Sequence, residues 1–194
     1  MKSDIILAGV GGQGILSIAA AIGMAAIDAG LHLKQAEVHG MSQRGGAVQS
    51  HLRISDQEIA SDLIPKGEAD LIISVEPMES LRYLPFLSKD GWIVTNKNAF
   101  VNIPDYPEET KVMAEIKAVN NHVIIDADDL ARTIKSPRSS NMVMLGAAGN
   151  YIELSEESLV KGIRSIFQRK GEEITRVNIQ AFKAGKIASE EYVK

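Results

Sequence analysis

Gly9-Val10-Gly11-Gly12-Gln13-Gly14 stands between a short apolar run, Asp4-Ile5-Ile6-Leu7-Ala8, and an alanine-rich apolar stretch from Ile15 to Ala29. The run before the glycines has the length and unbroken apolarity of a parallel strand buried on both faces. The stretch after them reads as a helix, with Gly30 placed to close its C-terminus. Strand, glycine turn and helix in that order form the opening unit of a doubly wound α/β domain. Glycines in such a turn permit positive φ and let a ligand approach bare backbone. The helix aims its unpaired N–H groups and the positive end of its dipole at the same place, which suits a phosphate. A tight turn that binds nothing would carry the same glycines. The strand before and the helix after favour the phosphate cradle.

Outward from this turn, strands and helices alternate. Leu31 to Val38 reads as a second strand, followed by the polar loop His39-Gly40-Met41-Ser42-Gln43-Arg44-Gly45-Gly46. Ala47 to Ile54 alternates, with Val48, Leu52 and Ile54 on one face and Gln49, His51 and Arg53 on the other, the pattern of a half-buried strand. Ser55-Asp56-Gln57 reads as a turn into Glu58-Ile59-Ala60, hence a hairpin and an antiparallel addition. Leu71–Val75, Trp92–Thr95 and Val123–Asp126 are further apolar strands, the second preceded by Gly91. Pro77 suits the first turn of a helix. Asn96 to Pro107 reads as an irregular connection and Glu108 to Ala118 as a helix. The last third is helical: a small-residue helix from Asn141 to Gly149, an amphipathic one capped by Ser155 and running to Lys170, and one from Arg176 to Ala184. No repeat or linker divides residues 1–194. The expected fold is one three-layer α/β/α Rossmann-like domain with a mostly parallel, mixed sheet.

Composition narrows the chemistry. A net charge of −4 gives no reason to expect a nucleic-acid surface. The absence of cysteine removes disulfides, thiol catalysis and a cysteine-held iron–sulfur cluster from these 194 residues. Chain entry straight into a strand argues against a signal peptide. The apolar stretch from Ile15, interrupted by Ser17 and Asp28, falls short of a membrane span, so a cytoplasmic protein is expected.

The candidate ligand contacts are Gly9, Gly11, Gly12, Gln13 and Gly14 in the first loop and Ser42, Gln43, Arg44 and Gly45 in the second. The Gln13 amide can donate to a phosphate or sugar without adding charge. Arg44 beside two glycines pairs a bidentate anion binder with approachable backbone. In a doubly wound sheet both loops can converge at the carboxyl ends of the strands. Asn141 reads first as an N-cap and second as a contact at that crevice. Glu37 has the separation from the glycines of an acid that holds a ribose in dinucleotide-binding folds, and equally reads as a surface residue. His32, His39, His51 and His122 have no metal-ligand spacing. Asp126, Asp128 and Asp129 follow a strand, where capping the next helix competes with binding magnesium. No nucleophile elbow, Walker lysine or catalytic thiol is present.

These residues resemble a known family. The order GxGGQG at Gly9–Gly14, Arg44-Gly45-Gly46 before a strand ending Arg53-Ile54, Ala69-Asp70 opening the middle strand, Asn141–Ala147 and Phe182–Gly185 is similar to the gamma subunit or domain of the 2-oxoacid:ferredoxin oxidoreductases. The segment His39–Gly46 most resembles the beta subunit of the indolepyruvate branch. The pyruvate and 2-oxoglutarate branches more often carry an acidic residue just before the arginine, where Gln43 stands here. The resemblance implies a holoenzyme that oxidatively decarboxylates a 2-oxoacid, forms the acyl-coenzyme A and passes electrons to ferredoxin. It places thiamine pyrophosphate, magnesium and [4Fe–4S] clusters in a large alpha subunit. This chain would then hold no catalytic residue, metal or cofactor of its own. Gly11, Gly12, Gln13 and Arg44 would touch coenzyme A in the complex. A nicotinamide dehydrogenase using Glu37 and a purely structural subunit are the competing readings.

Overall fold

The computed structural model describes residues 1–39, 46–101 and 103–194. Its strands are β1 (Lys2–Val10), β2 (His32–His39), β3 (Ala47–Ser55), β4 (Ala69–Ser74), β5 (Leu87–Asn96) and β6 (His122–Ile125). Its helices are α1 (Ile15–Asp28), α2 (Pro77–Arg82), α3 (Glu109–Lys117), α4 (Ala127–Thr133), α5 (Ser140–Ala148), α6 (Glu156–Phe167) and α7 (Glu172–Tyr192). The strands form one sheet in the order β2-β3-β1-β4-β5-β6. β1, β4, β5 and β6 pair in parallel, while β3 is antiparallel to both β1 and β2. This is the mixed, mostly parallel sheet expected from the alternation of elements.

β1 explains the layering. Its alternate residues Ile5 and Leu7 enter one core, with α1, α5, α6 and α7; Ile6 and Ala8 enter a second core, with residues of α2 and α3. All four are fully buried, which is why the strand reads as an unbroken apolar run rather than an alternating one. Local chemistry sets the helix ends. Pro77 occupies the first turn of α2, and the Glu76 carboxylate accepts from the Glu79 N–H. Ser155 caps α6 through the Ser158 N–H, and Asp126 caps α4 through the Asp129 N–H.

Three expectations are corrected. Residues 58–60 form no strand, and the hairpin is instead β2–β3. β3 already has β1 on one edge and β2 on the other, so no free edge remains for a partner after residue 55. The chain is turned away there by Asp56, whose N–H donates to the Met1 carbonyl and whose carboxylate pairs with the Met1 amine at 2.8 Å. The polar face of β3 is covered too: His51 is buried, and its Nδ1 accepts from the Ile64 N–H at 3.0 Å. β5 starts before Gly91 rather than after it, because the ladder slips between Ala69 and Leu71 and Gly91 lies within that irregularity. Finally, α7 runs from 172 to 192 instead of 176 to 184. Gly185, which looks like a stop, is where the backbone of α5 comes in: a Cβ there would strike the Val143 carbonyl.

Candidate functional site

β1 delivers the glycine turn to the carboxyl end of the sheet, where two hydrogen bonds close the turn on itself and a third ties it to Gly46. Gln13 Oε1 accepts from the Val10 N–H at 2.8 Å, Gln13 N–H donates to the Val10 carbonyl at 3.2 Å, and Gly11 N–H donates to the Gly46 carbonyl at 2.9 Å. The first bond fixes the side-chain amide of Gln13 by chemistry: a backbone donor requires the oxygen, so the NH₂ end remains to donate elsewhere. The third continues the antiparallel β1–β3 ladder one step past Val10 and Ala47 and ties the first loop to Gly46. Ser42, Gln43, Arg44 and Gly45 lie outside the described residues.

The glycines divide by role. Gly9 is a packing residue, since a Cβ would run into Val75, Ile15 and the Gln13 oxygen. Gly12, at φ +100°, faces open space and is the point where backbone is most approachable. Gly14, at φ +81°, is the N-cap of α1, and no side chain caps that helix. Asn141 stands against it. Its Nδ2 donates to the Gly14 carbonyl at 3.2 Å and its Oδ1 accepts from the Met142 N–H at 2.9 Å, so Asn141 joins α5 to the glycine loop instead of capping α5, whose N-cap is Ser139.

Gln13 also lines a pocket of about 100 Å³ with Val75, Asn96, Ala127, Asp128 and Met144, at the carboxyl ends of the parallel strands. Its acids are spoken for. Asn96 and Asn98 both donate to Asp128 at 3.0 Å, Asn98 donates to Asp126 at 2.8 Å, and Lys97 pairs with Asp126 at 2.8 Å. The Asp126 carboxyl is held below its usual range by Lys97, by the Asp129 N–H and by Asn98, against an opposing push from burial. Among the described residues, no three histidine, cysteine or acidic side chains gather to hold a metal ion. Glu76, fully buried beside this pocket, accepts from the Tyr106 hydroxyl and from the Phe100 N–H, anchoring the irregular connection after β5 over the sheet end. Burial, then the Glu76 hydrogen bond, pushes the Tyr106 phenol well up. Neither Glu76 nor Tyr106 was singled out in the sequence; a lone Glu before Pro77 reads only as a helix cap.

Glu37 does not meet the glycine loop. β3 lies between β2 and β1, so Glu37 sits two strand spacings, roughly 10 Å, from the strand that carries the glycines. Its Oε1 accepts from Gln35 Nε2 at 2.6 Å. A ribose-binding acid needs its strand next to β1, so the dinucleotide arrangement is absent.

On the helical side of Gly14 opens a larger cleft of about 610 Å³, shared by Asn141 and bounded by the first turns of α1 and α7. Lys135, Arg138 and Lys170 line it. They share no sequence motif, because they come from separate turns.

An α/β domain with an approachable glycine loop at the carboxyl edge of its mostly parallel sheet belongs to the Rossmann-like class. The family follows from comparison. The model of the pyruvate ferredoxin/flavodoxin oxidoreductase family matches residues 4–188, and the chain belongs to that family. It is 36% identical over 194 residues to the indolepyruvate oxidoreductase subunit IorB of Archaeoglobus fulgidus, covering 95% of this chain and 94% of that one. It is 28% identical to the 2-oxoglutarate synthase subunit KorC of Methanothermobacter marburgensis, covering 96% of each. Among solved structures, its fold matches the 2-oxoglutarate:ferredoxin oxidoreductase of Magnetococcus marinus, solved with 2-oxoglutarate, coenzyme A and succinyl-CoA bound, at a TM-score of 0.76 and 23% identity. That match covers 98% of this chain and 31% of the other. The chain is thus a subunit of a 2-oxoacid:ferredoxin oxidoreductase. None of the helices among the described residues is long and apolar enough to cross a membrane.

Proposed function

We propose that this chain, acting as one domain over residues 1–194 in the cytoplasm, is the small non-catalytic subunit of an indolepyruvate-type ferredoxin oxidoreductase and forms one wall of its coenzyme A crevice. The observation that carries the branch is the higher identity to IorB, 36% against 28% for KorC, over nearly the whole of each chain. The Magnetococcus enzyme supports the partnership, since there the same fold is a third of a longer chain. With no cysteine in the sequence, a cysteine-held [4Fe–4S] cluster does not fit here; on this reading the clusters, magnesium and thiamine pyrophosphate are held by a large alpha subunit. Thiamine pyrophosphate on that subunit supplies the decarboxylation chemistry, and ferredoxin takes the electrons. What this chain contributes is positioning. Gly12 offers bare backbone, the Gln13 NH₂ a neutral donor, and Arg44 a guanidinium fork for the anionic part of coenzyme A.

The test is steady-state turnover of the complex assembled with its large subunit, with indolepyruvate, pyruvate and 2-oxoglutarate as alternative substrates and ferredoxin as acceptor. Indolepyruvate should have the highest kcat/KM. Arg44→Ala should raise the KM for coenzyme A about tenfold, the equivalent of one charge-assisted hydrogen bond to phosphate, and Arg44→Lys should recover only part of it. An unchanged coenzyme A dependence in a normally assembled Arg44→Ala complex would overturn the crevice role. A purely structural role is the second reading. It is favoured by the amides of Gly11 and Gln13, which already donate to the Gly46 and Val10 carbonyls.

A further inference from the structure

We propose that the cleft between α1 and α7 is an anion site for an organic diphosphate, separate from the second loop and sharing only Gly14 and Asn141 with the site above. Its volume, about 610 Å³, is that of a small-molecule site. Three cations reach it from three different turns: Lys135 after α4, Arg138 before α5, and Lys170 before α7. No carboxylate lies within ion-pair distance of any of them among the described residues. Glu173 is the one acid in the lining, so the cleft carries a surplus of positive charge on a chain whose net charge is −4.

The floor is polar and buried. Ser139, Asn178 and Asn141 are 3%, 6% and 9% exposed and all line the cleft. Each is held in a fixed orientation: Ser139 Oγ by Ser136 Oγ at 2.8 Å, Asn178 Nδ2 by the Ile174 carbonyl at 2.8 Å, and Asn141 by Gly14 and Met142. A carboxamide has two N–H donors, and these bonds use one on each asparagine, leaving donors oriented before a ligand arrives. The uncapped start of α1 adds its dipole through Gly14 and Ser17. Phe167, Ile174 and Val177 give the lining an apolar wall, and Lys170 Nζ stands 5.4 Å from the Phe167 ring centroid. Cations over a polar floor take the diphosphate, and the apolar wall takes an organic group attached to it. Coenzyme A and free nucleoside diphosphates share that chemistry.

Calorimetric titration of the full chain with inorganic pyrophosphate, against sulfate at equal ionic strength, tests this without the assembled enzyme and so independently of the crevice reading. Saturable one-to-one binding is expected for pyrophosphate only. Arg138→Gln should weaken it about tenfold, whereas Lys89→Gln, removing the same charge from a remote exposed position, should not. Lys135→Gly should weaken binding while raising Tm, which separates lost binding from lost folding. Competition by coenzyme A assigns its nucleotide end, and competition by ADP alone assigns a free nucleotide. Equal weakening by Lys89→Gln, heats indistinguishable from sulfate, or pyrophosphate binding that neither organic diphosphate displaces would overturn the proposal.

Discussion

Lys135 and Gly30 do the same backbone work with opposite suitability. After α1, Gly30 N–H returns to the Ile27 carbonyl and Leu31 N–H to Ala26; after α4, Lys135 N–H returns to Arg132 and Ser136 N–H to Ala131. Both are six-residue helix stops that need a left-handed residue, and the φ values are +73° and +58°. Glycine meets that need freely, while a lysine does so at a cost of about 1 kcal/mol. Lys135→Gly is therefore expected to stabilise the fold by about 1 kcal/mol, a rise of roughly 2–4 °C in Tm for a chain of this size, read by thermal melting. His51 makes a second prediction. Burial, first, and the nearby Arg53 lower its pKa from 6.5, against a weaker opposing pull from Asp62. The folded ring thus takes a proton less readily than the unfolded one, so stability falls as pH drops below 6.5 until the folded pKa is passed. His51→Asn keeps an acceptor for the Ile64 N–H and should flatten the Tm profile between pH 7 and 5. Sequence showed Gly12 and Gln13 as candidates but could not separate them from Gly9, because what a glycine faces depends on side chains such as Val75 that arrive from elsewhere in the chain.

Helices α5 and α7 cross with their backbones in contact. A Cβ on Gly146 would fall on the Phe182 carbonyl, and one on Gly185 on the Val143 carbonyl. Neither obstacle is a side chain that can rotate away. Gly146→Ala should cost about 3 kcal/mol, the upper end of overpacking penalties. Gly149→Ala, whose added methyl would meet only Leu159 and Phe182 side chains at 3.5 Å, should change stability by less than about 0.5 kcal/mol. Chemical denaturation of the two variants measures the contrast. The small residues of Asn141–Gly149 announced close packing in the sequence. Their partner did not, since Gly185 inside a helical pattern looks the same whether it ends a helix or admits a neighbour.

Over the whole molecule, strand and helix alternation was legible because the buried parallel strands are continuous apolar runs and α2, α4 and α6 carry side-chain caps. The strand order was not: pairing of β3 between β1 and β2 is set by contacts remote in sequence, and the 58–60 segment was misread for that reason. The same end of the sheet that holds the glycine loop exposes Leu16, Val38, Phe100, Val101 and Ile103. Five large apolar side chains at one end of the sheet are where a large subunit is expected to dock. Hydrogen exchange at Leu16 and at 100–101 should slow on addition of the large subunit, while the amides of the exposed α6 face near Lys161 and Arg164 stay unchanged.

The antiparallel placement of β3 also bears on how this protein can be altered. A parallel strand must be reached by a crossover over the sheet face, whose length and handedness are tightly constrained. β2 and β3 are neighbours joined directly, so the connection between them closes no such circuit. A change in its length therefore requires no rebuilt crossover over the sheet face. A reporter peptide could be inserted between His39 and Gly46 with the parallel half left untouched, provided that Arg44 is retained and Gly46 keeps its bond from Gly11.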